Sequence, residues 1–417
     1  MSAAKSTPRT GQRRPDNRWP VLLCWIAVAL DGFDLVVLGA VIPTIAKTQA
    51  LGFTSASLTT AATVGLVGVG IGAIAIGPFT DRYGRRRCLI GCIAAFSLFT
   101  LAIAVAPNVA TFVLLRFLAG LGLGACLPTA LAFMSEHASA GRGGTAVTRM
   151  MTGYHVGAVL TALVALWVIP NLGWQWMFAL GGILGLASLP VMWAKLPESE
   201  AYLRVSQGQA EPARSTDVVR GAYRRISLGI WAASFMGLLL VYGLNTWLPT
   251  IMGQAGYSLT SGLTLLLVLN VGAVIGLLVA GSIADLRGTK ATVLAWFGLA
   301  GIFLALLSIR TGSSLVVHAA VLAAGVFVFS AQVLVYAFVG HLYPPAIRGT
   351  ALGMSAGAGR AGAIVGPYLG GQLVATGVAY PWGFYVFALA AAIAVLALAT
   401  VPPAPTRDHP GMLGSTP

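Results

Sequence analysis

The sequence predicts an all-α membrane protein with twelve transmembrane helices, and three observations support this prediction. Of the 417 residues, 57% are hydrophobic and only 9% are charged, whereas about a quarter of the residues in soluble domains are charged. Apolar runs of about 20 residues, the length that a bilayer core requires of a helix, recur along the whole chain. Basic residues collect in alternate loops between these runs, as they do in multi-pass membrane proteins.

Polar breaks between the apolar runs separate the twelve predicted helices. In chain order, the helices are expected to begin near Val21, Leu58, Cys88, Val109, Thr145, Trp174, Ile226, Ser261, Ala291, Leu315, Thr350 and Pro381. The first run follows a basic segment, but it is too long and too acidic for a cleaved signal peptide. The predicted divisions are an N-terminal tail (1–20), a six-helix half (21–195), a linker (196–225), a second six-helix half (226–401) and a C-terminal tail (402–417).

The basic residues predict the orientation of the chain. Placing the N-terminus inside puts most of the 25 Lys and Arg residues in cytoplasmic tails and loops, as the positive-inside rule requires. Both termini are therefore predicted to be cytoplasmic, in a protein of the cell inner (plasma) membrane. The net charge of +14 would then face anionic lipid headgroups, so membrane lipids, and not nucleic acid, are the expected partners.

Two acidic residues, Asp31 and Asp34, lie near the middle of the first predicted helix. A charged side chain is costly at that depth of a bilayer unless it is paired or hydrated. Because the two residues are three apart, they share one face of the helix. Paired carboxylates inside a bundle can hold a proton that neither would hold in water, so the sequence predicts that they couple transport to protons.

An internal repeat relates the two halves. Short motifs of the first half recur in the second at offsets of 204 to 206 residues: Gly77, Asp81 and Gly84 as Gly281, Asp285 and Gly288; Gly144 and Thr145 as Gly349 and Thr350; Pro43 and Thr44 as Pro249 and Thr250. The chain is therefore predicted to contain two six-helix halves in the same orientation. Halves arranged in this way place a substrate site at their interface, near the bilayer midplane.

Several motifs resemble those of a known group of transporters. Residues 77–87, GPFTDRYGRRR, resemble the signature between the second and third helices of the major facilitator superfamily, and RFLAGLGLG at 116–124 and LPES at 196–199 are also similar to it. DGFD at 31–34 together with GRAGAIVGP at 359–367 resembles the aromatic acid:proton symporter family. The resemblance implies the major facilitator fold, with two pseudo-symmetric halves, and a monomer. It also implies import of an aromatic carboxylate, of the benzoate, hydroxybenzoate, protocatechuate or gentisate type, together with a proton by alternating access.

The loop motif predicts a gate. Gly77 would permit close helix approach, and Asp81 at a helix end could accept from the exposed amides at the start of a neighbouring helix. The resemblance implies a latch that favours the outward-facing state. A positive cluster that only sets topology would explain the arginines but not Asp81. The predicted gating residues are Gly77, Asp81, Arg82, Gly84, Arg85 and, in the second half, Asp285.

Two arginines, Arg116 and Arg360, lie inside predicted helices. Arg116 belongs to the same half as the two acids, so a buried ion pair that contributes to proton coupling is expected. Arg360 has no acid in the helices of its own half, and its planar fork matches a carboxylate. We therefore expect Arg360 to bind the substrate anion, the role that the resemblance also implies.

The repeat aligns His155 with Arg360, so both are expected to face one cavity from opposite sides. The alternative, a neutral core histidine bonded to a carbonyl group, remains open at this stage. Aromatic residues of the predicted helices could stack on a substrate ring, and the candidates are Phe33, Tyr154, Tyr242 and Tyr336.

Other functions fit the sequence less well. A membrane enzyme would need a nucleophile, metal cluster or cofactor motif, and the predicted helices supply almost none, so no enzyme activity, cofactor or metal is expected. The four cysteines lie in or beside predicted helices and are interpreted as packing residues. A proton-driven drug exporter, or a transporter of another organic anion, shares the predicted fold. A drug exporter would not need a buried arginine free for an anion.

Overall fold

The computed structural model describes residues 19–138, 141–199, 202–204, 207, 215–257, 259–311 and 313–402. Most of the predicted tails (1–20 and 402–417) and much of the predicted linker (196–225) lie outside the described residues. Within the described ranges the chain forms twelve long helices and no strand. Each helix begins within five residues of its predicted start, so the prediction of an all-α protein with twelve helices is confirmed.

The helices divide into two sets of six. Those of the first half are α1 (Trp19–Thr48), α2 (Ser55–Tyr83), α3 (Arg85–Ile103), α4 (Val109–His137), α5 (Gly143–Leu172) and α6 (Gln175–Lys195). Those of the second half are α7 (Gly221–Gln254), α8 (Leu259–Arg287), α9 (Thr289–Leu306), α10 (Ser314–Leu342), α11 (Pro345–Ala375) and α12 (Ala379–Ala399).

The packing of the helices repeats from one half to the other. In the first half α1 packs on α5, α2 on α4, and α3 on both α4 and α6; in the second half α7 packs on α11, α8 on α10, and α9 on both α10 and α12. The two halves contact each other mainly where α2 packs on α11 and α5 packs on α8. These contacts also obey the repeat, because α2 and α5 correspond to α8 and α11. The halves are therefore pseudo-symmetric.

Eleven of the described helices are long and apolar enough to cross a membrane. The exception is α11, which contains eight glycines and the arginines Arg348 and Arg360. Arg360 is buried where α11 packs between α7 and α2. Large apolar side chains such as Leu166 and Trp167 are exposed on the outer surface, where a bilayer would cover them. The protein is a multi-pass membrane protein.

Local signals in the sequence set the helix ends. The Asn108 side chain accepts from the backbone N–H of Thr111 at 2.9 Å and caps the start of α4, as expected for an N-cap asparagine. Gly84 and Gly288 have φ angles of 95° and 90°, a conformation that side chains with a Cβ atom rarely adopt. They turn the chain sharply between α2 and α3 and between α8 and α9. Gly84 thereby brings Arg85 close to Asp81.

Candidate functional site

A cavity of about 270 Å³ lies between the two halves. It is slightly smaller than the pockets that hold drug-sized ligands, so it suits a molecule with one ring. Its polar and aromatic lining residues come from α5, α7, α8, α10 and α11: Tyr154, His155, Tyr242, Asn245, Asn270, Phe329, Gln332, Tyr336 and Arg360. The structure therefore brings together five of the six residues that the sequence assigned to substrate binding.

Arg360 carries the positive charge of this cavity. Its Nη1 atom donates to the Tyr242 hydroxyl at 2.8 Å, and Asp31, Tyr154 and Tyr336 are close enough to interact with it electrostatically. No carboxylate oxygen in the described part of the chain lies within 4.0 Å of its guanidinium nitrogens. The remaining N–H groups are therefore available to a ligand that enters the cavity.

Asp31 lies next to this cavity, in the contact between α1 and α5. A Cβ atom on Gly32 would lie 2.2 Å from the carbonyl oxygen of Tyr154, so only glycine allows the two helices to approach this closely. Asp31 is 1% exposed, and no described residue donates a hydrogen bond to either of its carboxylate oxygens. The ionisable groups around it include Arg360 from α11, Tyr154 from α5, Tyr336 from α10, Cys126 from α4 and Asp34 from α1.

Asp34 has a different environment, although the sequence treats the two acids alike. Its Oδ1 atom accepts from the Thr100 hydroxyl at 2.7 Å, and its Oδ2 atom pairs with Arg116 Nη1 at 3.3 Å. All three side chains are buried. The ion pair expected for Arg116 is therefore present and involves Asp34. Thr100 was missed, because a threonine in an apolar helix gives no sequence signal that distinguishes it from a packing residue.

Phe33 is the predicted substrate-binding residue that does not line the cavity. Successive residues of a helix are about 100° apart. Phe33 follows Asp31 by two residues, so its side chain points to the opposite side of α1. Its ring packs against α6, where a Cβ atom on Gly181 would lie 3.1 Å from the ring. It belongs to an apolar cluster with Phe112 and Phe178. In this conformation Phe33 is a core residue, and its assignment to substrate binding is withdrawn.

His155 lines the same cavity as Arg360, and it comes from α5 of the first half. Its ring makes edge contacts with Phe329 and Tyr154, with centroid distances of 5.9 and 5.6 Å. Within the described residues, no carbonyl group accepts a hydrogen bond from its ring nitrogens. The imidazole is therefore placed as a cavity group and not as a hydrogen-bonded core histidine.

Three cavity residues were not anticipated from the sequence. They are the amides Asn245, Asn270 and Gln332. Asn270 Nδ2 donates to Asn245 Oδ1 at 3.1 Å, which joins α8 to α7. Their positions inside apolar helices already indicate a place in the interior, because polar groups at membrane depth face a bundle interior or a cavity. That signal was overlooked because amides carry no charge.

The predicted gate residue Asp81 links the first half to the second. Its Oδ2 atom accepts from the backbone N–H of Thr350 at 3.0 Å and from the Thr350 hydroxyl at 2.7 Å. A Cβ atom on Gly77 would lie 2.4 Å from the Cα atom of Thr350, so glycine permits the close approach of α2 and α11. We call this contact, Asp81 with Thr350, the first latch.

Arg85 reinforces the first latch. It is 1% exposed, and its guanidinium pairs with Asp81 at 2.9 Å and with Glu136 at 3.0 Å. It also donates to the carbonyl oxygen of Pro345 at the start of α11. Arg82, in contrast, is exposed and lies over the ring of Tyr83 at 5.4 Å. Among the described residues, no hydrogen bond or ion pair joins the guanidinium of Arg82 to the second half, so its assignment as a gating residue is not supported.

Asp285 forms the corresponding contact from the second half, which we call the second latch. Its carboxylate accepts from the backbone N–H groups of Gly144 at 2.8 Å and Thr145 at 2.9 Å. These are first-turn amides of α5, which have no partner within their own helix. Among the residues that the structure describes, no basic side chain joins this carboxylate.

The helix arrangement and the central cavity agree with comparisons to known proteins. The family model of the Major Facilitator Superfamily matches residues 24–354 and 267–415. The chain belongs to the major facilitator superfamily. It is therefore a transporter and not an enzyme.

Relatives define its place in the superfamily more closely. The gentisate transporter of Corynebacterium glutamicum is 38% identical over 387 residues, covering 91% of this chain and 86% of the relative. The gallate transporter of Pseudomonas putida is 32% identical, covering 92% and 93%. The 4-hydroxybenzoate transporter PcaK of Pseudomonas aeruginosa is 33% identical, covering 91% of both chains. The chain falls within the aromatic acid transporter family.

A solved structure supports the fold. The proton:xylose symporter XylE superposes with a TM-score of 0.74, covering 92% of this chain and 95% of that chain, at 18% sequence identity. At this identity the similarity concerns the major facilitator fold alone.

Proposed function

We propose that this protein is a symporter that imports an aromatic carboxylate together with a proton by alternating access. The observation that carries the proposal is Arg360, which lies in the cavity between the halves with three tyrosines around it and no carboxylate partner among the described residues. The relatives named as transporters of gentisate, gallate and 4-hydroxybenzoate support an aromatic acid as the substrate.

The substrate carboxylate would bind the guanidinium of Arg360. A guanidinium can form two parallel N–H···O bonds with a carboxylate, which fixes orientation as well as supplying affinity. The rings of Tyr154, Tyr242 and Tyr336 would then flank the substrate ring. We place His155 on the opposite wall, where it would contact the ring or its substituents.

Proton coupling would depend on Asp31 and its relation to Arg360. An ionised carboxylate that is buried without hydrogen-bond donors is far more costly than a neutral carboxylic acid. We infer that Asp31 is protonated when the substrate binds, which leaves Arg360 free for the substrate carboxylate. When Asp31 loses its proton, its carboxylate competes with the substrate for Arg360. The proton and the substrate are therefore bound together and released together. The pair of Asp34 and Arg116 would hold α1 against α4 throughout.

Alternating access would use the two latches. Asp81 and Asp285 join the halves at helix ends that the distribution of arginines assigns to the cytoplasm, so the described contacts fit an outward-facing conformation. Release of substrate into the cell would require both contacts to break. We propose that the protein works as a monomer in the plasma membrane, with both termini in the cytoplasm and with its basic loops next to anionic lipid headgroups.

Reconstituted protein tests this proposal. Labelled benzoate, hydroxybenzoates, dihydroxybenzoates and aliphatic acids would be offered to proteoliposomes under an imposed pH gradient, which supplies about 1.4 kcal/mol per proton for each pH unit. We expect accumulation of aromatic acids only, and its loss when a protonophore is added. Accumulation that ignores the protonophore would refute proton coupling. Efflux of cationic drugs without uptake of any acid would support the exporter instead.

A further inference from the structure

We propose that Asn245 and Asn270 form a subsite that binds a ring hydroxyl group of the substrate, located meta or para to the carboxylate. This inference rests on the proposed function, because it assumes that Arg360 holds the carboxylate. It goes further by assigning a specific class of substrate, the aromatic acids hydroxylated away from the carboxylate, to this cavity. The two amides bond to each other and to backbone carbonyl groups, and they keep one donor and one acceptor for a ligand.

The amide orientations are determined by backbone carbonyl groups. Asn270 Nδ2 donates to the carbonyl oxygen of Leu266 at 2.9 Å, and Asn245 Nδ2 donates to that of Val241 at 2.9 Å. A carbonyl oxygen can only accept, so each of these contacts must be made by an amide nitrogen and not by an amide oxygen. The second proton on Asn270 Nδ2 goes to Asn245 Oδ1 at 3.1 Å.

The remaining hydrogen-bonding groups of the pair match a hydroxyl group. A primary amide has two N–H donors and one oxygen acceptor. Both donors of Asn270 are used, but its Oδ1 atom accepts no hydrogen bond from a described residue; Asn245 retains one N–H donor. A phenolic hydroxyl donates one hydrogen bond and accepts another, so it can satisfy both groups. A second carboxylate could not, because it would face the free oxygen of Asn270.

The position of the pair favours a hydroxyl group that is remote from the carboxylate. The Tyr242 hydroxyl accepts from Arg360 at the carboxylate end of the cavity, and Asn245 follows three residues later on the same face of α7. Three residues advance a helix by about 4.5 Å. A hydroxyl group ortho to the carboxylate would stay beside Arg360, whereas a meta or para hydroxyl group would extend across the ring toward Asn245 and Asn270.

The alternative function of the pair is to hold α7 and α8 together, as interhelical amide bonds do in membrane proteins. One hydrogen bond between the two side chains would serve that purpose. It would not require both residues to line the cavity, nor a free donor and a free acceptor to remain there. If the pair only holds the helices together, substitutions at Asn245 or Asn270 should change the affinity for all ligands equally. Binding measurements can therefore distinguish the two functions.

Binding titrations on purified protein test the subsite. The ligands are benzoate and its 2-, 3- and 4-hydroxy derivatives, and the variants are Asn245→Leu and Asn270→Leu, which remove the hydrogen bonds with little change in volume. Wild-type protein should bind the 3- or 4-hydroxy acid about three- to tenfold more tightly than benzoate. Each variant should lose that preference while its Kd for benzoate changes less than about twofold. The pair should not increase the affinity for the 2-hydroxy acid.

Thr246→Val provides the matched control. Thr246 is the neighbour of Asn245 on α7, is exposed, and bonds to its own helix through the Tyr242 carbonyl at 2.8 Å. This variant should retain the wild-type preference. If a leucine variant is unstable in detergent, Asn270→Ser replaces it, because serine is smaller and cannot reach Asn245; the same loss of preference is expected.

Two results would overturn the subsite. The first is equal weakening of benzoate and hydroxybenzoate binding in the variants, which would assign the pair to helix packing. The second is a wild-type protein that binds benzoate as tightly as its 3- and 4-hydroxy derivatives. Either result leaves aromatic acid binding intact. Failure of the proposed function looks different, because wild-type protein would then bind none of the four acids.

Discussion

The two halves of this transporter have the same helix packing but different interior chemistry. In the first half the buried charges are the acids Asp31 and Asp34 with Arg116, and Arg85 at the first latch. In the described part of the second half the buried charged side chain is that of Arg360, which lines the central cavity together with the amides of Asn245 and Asn270. The difference shows that helix packing, which depends on small residues and apolar surfaces, constrains the interior polar positions very little. A duplicated scaffold can therefore carry different polar groups in its two halves.

The latches differ between the halves in a similar way. Both use an aspartate that accepts from a backbone N–H of the opposite half. Within the described ranges, a buried arginine joins the first latch, where Arg85 pairs with Asp81 and Glu136, and no basic side chain joins the second. The position equivalent to Arg85 in the repeat is Thr289. The comparison of the two halves leads to four predictions, in order of decreasing effect.

The largest effect is expected from Asp31→Asn. An amide has nearly the shape of a carboxylic acid but cannot release a proton, so accumulation against a gradient should be abolished. Exchange of labelled for unlabelled substrate across proteoliposomes should persist, because the neutral amide leaves Arg360 free. Uptake at the wild-type level in this variant would remove Asp31 from the coupling mechanism.

Asp34→Asn supplies the control for Asp31. It leaves Arg116 buried without its partner, and breaking a buried ion pair costs on the order of 3–5 kcal/mol. We therefore expect a clearly lower Tm for Asp34→Asn than for Asp31→Asn in the same detergent. Equal Tm values for the two variants would contradict the assignment of Asp34 to stability and Asp31 to proton coupling.

The second prediction concerns Arg360→Lys. An ammonium group keeps the charge but cannot form two parallel bonds with a carboxylate. The Kd for an aromatic carboxylate should rise about 10- to 100-fold, as measured by calorimetric titration. Arg348→Lys is the matched control, because Arg348 lies on the same helix but bonds the Tyr343 carbonyl, away from the cavity. An unchanged Kd for Arg360→Lys would exclude it as the carboxylate site.

The third prediction compares the latches through Asp81→Asn and Asp285→Asn. Asp81→Asn weakens the contact with Thr350 and the ion pair with Arg85, so it should favour opening by about 1.5–3 kcal/mol. Asp285→Asn loses one amide bond and should favour opening by about 1 kcal/mol. Distances between spin labels at the exposed positions Arg87 and Leu286 would report the open fraction. A larger increase in the open fraction for Asp285→Asn than for Asp81→Asn would contradict the proposal that the first latch is the stronger of the two.

The smallest effect is expected from His155→Ala. His155 contacts Phe329 and Tyr154 and lines the cavity, so its removal should weaken binding about two- to fivefold. The order of affinities among ring-hydroxylated acids should change, while the effect on benzoate stays small. If competition assays show the wild-type order of affinities, His155 contributes to packing and not to selectivity.

Much of this molecule could be predicted from the sequence. The twelve helices follow from apolar runs of bilayer length, and the repeat follows from motifs such as Asp81 and Asp285. The buried charges Asp31, Asp34, Arg116 and Arg360 stand out because a charge in an apolar helix is costly wherever its partners lie. These inferences need only the composition of one segment, or the comparison of two, so they do not depend on how the helices meet.

Only the tertiary structure decided which groups are partners. Asp31 and Asp34 look equivalent along the chain, but Thr100 and Arg116 reach only Asp34. Phe33 lies between the two acids in the sequence and still packs into the core against α6. The amides of Asn245 and Asn270 meet because α7 and α8 bring them together. Hydrogen bonds act over about 3 Å, so these pairings depend on helix approach and rotation, which residues distant in the chain determine together.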